Sequence, residues 1–140
     1  MGAKYANLQI QSSDIENIKS LCPDAAVCRN TERWISVTGP DIIWGTAQKE
    51  AKRISKVISE SILVTEYFDD DYVEFTIYKD GKRIGCHAPA SYEGLARKAG
   101  KPEHFIEASG FRRTLLSSLV LSLRNMTRRS VCGCWNVCCR

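Results

Sequence analysis

Glu66, Asp69, Asp70, Asp71 and Glu74 place five carboxylates within nine residues, and no Lys, Arg or His interrupts residues 64–78. Clustered carboxylates are the ligands of hard cations. Here three of them are consecutive at the end of an alternating segment, so their side chains splay in different directions, and no Gly shapes a calcium loop. The spacing predicts a solvated acidic turn, which also discourages edge-to-edge strand pairing, and it offers a docking site to a basic partner. Tyr72 and Tyr78 bracket the next alternating run, opposite Val73, Phe75 and Ile77. If the latter three face the core, the tyrosines mark an exposed sheet face suited to a partner protein or to a second copy of the chain.

Nucleophilic chemistry has few candidates. Cys86 and His87 are neighbours, but neighbours on a strand point to opposite faces, so they form no nucleophile–base pair. His104 stands alone on an expected surface helix. The chain has no nucleophile elbow, phosphate loop or glycine-rich dinucleotide turn. No catalytic residue, cofactor or metal is therefore predicted. An enzyme built on a carboxylate pair or on Cys86 is the third reading. A deep pocket with converging, shifted titratable groups would favour it, and a flat surface would count against it.

The last thirty residues differ from the rest. Residues 1–110 carry 14 Lys+Arg and 16 Asp+Glu, a charge of −2, whereas residues 111–140 carry six Arg, no Lys and no acid. The overall +4 is thus wholly a property of the tail. Four of the seven cysteines, Cys132, Cys134, Cys138 and Cys139, also lie there. Their spacing is too cramped for a zinc ribbon or finger. The terminal residues do not fit a prenylation box, and Ala6 stands where a myristoylation signal wants Ser or Thr. Leu115, Leu116, Leu119, Val120 and Leu123, among Arg112, Arg113, Arg124, Arg128 and Arg129, have the pattern of a basic amphipathic helix for a membrane surface or nucleic acid. The body's negative charge argues against nucleic acid for residues 1–110. A shifted reading frame accounts for the abrupt change. Read from the last base of each codon, Cys132, Cys134, Trp135, Cys138 and Cys139 all become apolar, the last four at helical spacing. The expectation is a domain over 1–110 followed by an atypical tail over 111–140, the remnant of a native C-terminal helix.

Hydrophobic residues at 44% and charged residues at 26% of 140 describe one globular domain. No run of 18 apolar residues predicts a transmembrane helix. The N-terminus lacks a signal pattern, so a cytoplasmic location is expected. Tyr5–Gln11 alternates as a half-buried strand. Ser13 to Glu16 has the form of a capping box, opening a helix that Pro23 stops. A strand centres on Trp34–Val37. Thr46 is placed to cap a helix over 47–59, with Ala47, Ala51, Ile54 and Ile58 as its apolar stripe, which Val57 widens. Residues 62–68, 72–78 and 83–88 follow as strands, the last two joined at Asp80-Gly81, a strong hairpin signal. Pro102 opens a final helix. The fold class is α+β, a two-layer sandwich ordered β-α-β-α-β-β-β-α. It has an antiparallel meander and helices on one side, a relative of the ferredoxin-like arrangement.

The Trp34-Ile35-Ser36-Val37 strand, Trp44-Gly45-Thr46 before a basic helix, Tyr67-Phe68-Asp69-Asp70-Asp71, Tyr78-Lys79-Asp80-Gly81 and Gly100-Lys101-Pro102-Glu103 occur in that order. Together they resemble a group of small bacterial proteins of clostridia and relatives, a family without an assigned activity. The resemblance covers residues 4–110 and implies a cytoplasmic bacterial domain. The functional expectation is a small non-enzymatic module acting through protein contacts or self-association. Nucleic-acid or membrane-surface binding through the tail is the alternative.

Overall fold

The computed structural model describes residues 3–69 and 71–109. They form an α+β structure with a six-stranded, fully antiparallel open sheet and three helices. Strands β1 (Lys4–Ile10), β2 (Ala26–Thr31), β3 (Trp34–Thr38), β4 (Ile62–Phe68), β5 (Tyr72–Lys79) and β6 (Lys82–His87) lie in the order β2-β3-β1-β4-β5-β6. Helix α1 (Ile15–Leu21) follows β1, α2 (Ala47–Ile54) follows β3, and α3 (Pro102–Ser109) ends the described chain.

The core lies between the sheet and the first two helices. Leu8 and Ile10 of β1, Ile35 and Val37 of β3, and Ile62 and Val64 of β4 are fully buried with Ile18 of α1 and Ala47, Ala51 and Ile54 of α2. Burial of this size dominates the stability of a domain. The two alanines let α2 lie close to the sheet. The face they cover is called the inner face below.

Several local expectations are corrected. An additional strand, β2, makes the order β-α-β-β-α-β-β-β-α. The cap of α1 is Asp14, one residue later than expected. Its carboxylate accepts the Asn17 N–H at 3.0 Å, while Glu16 pairs with Lys19 rather than reaching back. Helix α2 stops at Ile54, well short of residue 59. Thr46 makes no side-chain cap, because its hydroxyl donates to the Asp41 carbonyl at 2.8 Å. Val57, expected to widen the apolar stripe, is 65% exposed.

The helices do not all cover one face. A side chain at Gly85 would meet His104 of α3, and Gly85 is paired with Ile77. Cys86, its neighbour, reaches Thr76 and Glu74 on the inner face. Helix α3 therefore lies across the outer face, where it closes over Ile77 at 1% exposure. The two-layer expectation is corrected on this point. The hairpin at Asp80 and Gly81 forms as the dipeptide requires, with φ of 50° and 71°. The readings made on residues 111–140 — metal, lipid, amphipathic helix, shifted frame — lie outside the described residues.

Candidate functional site

Strands β4 and β5 pair so that Ile62 faces Tyr78, Val64 faces Thr76, Glu66 faces Glu74 and Phe68 faces Tyr72. All eight alternate onto the inner face. The pairing forms a track that starts apolar, becomes polar at the two glutamates, turns aromatic and ends at the acidic turn. Tyr72 is 2% exposed and Tyr78 7%, so the exposed tyrosine face expected from sequence is corrected. Their register with Phe68 and Ile62 places them inside, and Val73 and Phe75 lie half-buried on the outer face.

Glu66 and Glu74 are 4% and 5% exposed. Like charges directly opposite one another destabilise a strand pair, and buried carboxylates require partners. Gln48 of α2 supplies the first. Its amide nitrogen donates to Glu66 Oε2 at 2.6 Å and to Glu74 Oε1 at 3.2 Å, while its oxygen accepts the Tyr78 hydroxyl at 3.2 Å. The Gly45 N–H donates to Glu66 Oε1 at 3.0 Å. Glu74 collects further donors: Tyr72 Oη at 2.9 Å, Thr76 Oγ1 at 3.2 Å, Cys86 Sγ at 3.1 Å and Lys98 Nζ at 2.5 Å. Lys98 is the only ion-pair partner of the two carboxylates among the described residues.

The network sets the protonation of its members. Burial works to raise the Glu74 pKa, but Lys98, Cys86 and Tyr72 outweigh it and hold the carboxyl below its usual range. Burial, reinforced by Glu74, pushes the Tyr72 phenol up. Burial also raises Tyr78, and it raises the Cys86 thiol despite the Thr76 hydroxyl. At neutral pH these groups are a carboxylate, two phenols and a thiol. A protonated thiol is a poor nucleophile, and none of the four is poised near pH 7 for proton transfer. Their arrangement holds charge and donors in place. Among the described residues, no group of three His, Cys, Asp or Glu side chains is placed to hold a metal ion.

Beyond the glutamates the track becomes aromatic. Trp44 packs on Phe68 at 5.0 Å between centroids and edge-on to Tyr72 at 5.9 Å, and Tyr92 lies 6.1 Å from Phe68. The Lys4 ammonium sits over the Phe68 ring at 4.3 Å. Asp69 turns the chain at φ 57°, and its carboxylate accepts the Tyr92 hydroxyl at 3.1 Å. That contact pushes the Tyr92 phenol up to about 12. Asp71 is exposed, and Asp70 lies outside the described residues. Neither Asp69, Asp71 nor the nearby Glu93 forms an ion pair with a described residue. The structure thus places Asp69 and Tyr72 in one end of the sheet with Asp71, and Tyr78 deeper along the same track.

Sequence reasoning grouped Glu66 and Glu74 with a solvated acidic turn, which their burial corrects, and it missed Gln48 and Lys98 as their partners. A signal for Glu66 existed, because it occupies the apolar phase of Ile62 and Val64. Nothing in the chain order joins Gln48 or Lys98 to it. A shallow depression of about 300 Å³, lined by residues 91–96, lies on the segment that carries Lys98. No protein-family model, curated protein or solved structure matches this chain.

Proposed function

We propose that this chain is a non-enzymatic protein-interaction module whose acidic, aromatic sheet end docks a Lys- or Arg-bearing segment of a partner. One observation carries the reading. The end already holds an ammonium of its own chain over Phe68, beside carboxylates at Asp69 and Asp71 that have no ion-pair partner among the described residues. Rings and carboxylates in this combination recognise cations. The order β2-β3-β1-β4, with helices after β1 and β3, supports a ferredoxin-like split βαβ reading of that part, extended by β5 and β6.

Calorimetric titration with a hexalysine peptide tests the function. Binding should weaken with salt, as exposed charge pairs do, and fall about tenfold in the Asp69→Asn/Asp71→Asn variant. Absence of binding, or binding indifferent to both substitutions, refutes the proposal. Light scattering over a concentration series tests the self-association form of the same reading. We read residues 111–140 as a shifted-frame remnant. The nucleotides around codon 111 decide that, since codons giving no open amphipathic product in the other frame end it.

A further inference from the structure

Residues 88–101 form a strap at this end of the sheet. It is closed on itself by reciprocal hydrogen bonds, Ala88 N–H to the Lys98 carbonyl at 2.9 Å and Lys98 N–H to the Ala88 carbonyl at 3.0 Å. At its tip Tyr92 and Leu95 exchange backbone bonds, and Glu93 and Gly94 both take positive φ. Ser91, Glu93, Gly94, Ala96 and Arg97 are exposed. Two side chains reach from the strap to the site, and each donates to an acid. The Lys98 ammonium goes to Glu74 and the Tyr92 hydroxyl to Asp69.

The strap therefore places its donors on two of the acids that a basic partner would use. The Lys98 side chain is 41% exposed, so it enters the site from solvent, whereas Glu74 is fixed from within by Tyr72, Thr76, Cys86 and Gln48. Glu66, held by Gly45 and Gln48, meets no ammonium among the described residues. A second cation arriving here finds one carboxylate with no opposite charge beside it and another whose ammonium comes in from the solvent side. We propose that the strap is a built-in competitor: Lys98 occupies at Glu74 the place taken by a Lys or Arg side chain of the partner, which must lift the strap to enter. This inference rests on the basic-segment reading above and adds to it the receptor, Glu66 with Glu74, and its internal inhibitor.

The hexalysine peptide is titrated into the unmodified chain, Lys98→Met, and Lys98→Met with Glu74→Gln. A competitor that is removed raises apparent affinity by the reciprocal of the fraction of sites it had left free. Lys98→Met should bind about tenfold tighter than the unmodified chain, and adding Glu74→Gln should abolish the gain. In the unmodified chain, hydrogen exchange at the Ala88 and Lys98 amides should quicken at least fivefold when the peptide binds. Equal or weaker binding by Lys98→Met overturns the competitor. If Asp69→Asn/Asp71→Asn still weakens binding, the docking proposal survives that result. Should Lys98→Met fail to fold, the exchange measurement decides alone: unchanged or slowed amides overturn the inference. Peptide that binds none of the proteins ends both proposals.

Discussion

Replacing Glu66 by Gln is expected to make the protein more stable. The Gln48 amide nitrogen bonds one oxygen of each glutamate, at 2.6 Å and 3.2 Å, so the two oxygens lie less than about 6 Å apart. At an effective dielectric constant near 20, unit charges at about 5 Å repel by about 3 kcal/mol. Glu66→Gln removes that repulsion. It keeps the Gly45 bond, weakened by about 1 kcal/mol because a neutral oxygen replaces a charged one, and loses the Gln48 bond to the other position, about 1–2 kcal/mol more, because the new NH2 cannot accept. Burial of an amide in place of a carboxylate returns about 1 kcal/mol of this. The balance is a gain of about 1–2 kcal/mol, provided the new amide donates toward Glu74. In urea denaturation the midpoint should rise by about 1 M with an unchanged slope. The same variant should lose affinity for the hexalysine peptide. A lowered midpoint refutes the reasoning. It would mean that the hydrogen bonds of Glu66 outweigh the repulsion and that the carboxylate pair serves folding.

Two further outcomes follow from the environments of titratable groups. Glu74 has a lowered folded pKa, so its contribution is complete above the ordinary 4.5 and is lost as pH falls through the lowered value. His87 is depressed from 6.5 by burial and then by Arg97, so the unfolded chain takes the proton first. Its contribution is complete above 6.5 and fades below. Thermal midpoints should therefore fall on acidification from pH 7.5 to 5.5, and fall less in His87→Asn. Iodoacetamide at pH 7.5, followed by peptide mass analysis, should label exposed Cys28 well before Cys86, whose thiol is half-buried and raised. Equal labelling of the two would contradict the described network.

Where one face was apolar, the sequence announced the element. Leu8 and Ile10 in β1, Ile35 and Val37 in β3, and the alanines of α2 all stand in the expected phase. Strand β2 was illegible because an edge strand over Ala26–Thr31 half-buries only Val27, and its residues show no alternation. Strand β5 was read with its faces exchanged for the opposite reason. The apolar Val73, Phe75 and Ile77 lie on the outer face, partly under α3, while Tyr72, Glu74, Thr76 and Tyr78 are buried against α2 and the strap. A polar inner face contradicts the simplest hydrophobic pattern, and such contradictions concentrate where a protein recognises something. The acidic turn and Tyr72 were singled out from sequence. The connection of Glu66 to Gln48 and of Glu74 to Lys98 spans 18 and 24 positions, and only the fold supplies it.

The central position of β1 also shapes how the chain is made. Its partners are β3 on one side and β4 on the other, with Lys4 opposite Phe68 and Ile10 opposite Ile62. During synthesis the first strand must wait with one raw margin until Ile62–Phe68 has left the ribosome. Strands β4, β5 and β6, by contrast, are joined by tight turns and need no distant help. Completion of the sheet is thus timed by the emergence of β4, and until then β1 stays vulnerable to wrong pairing.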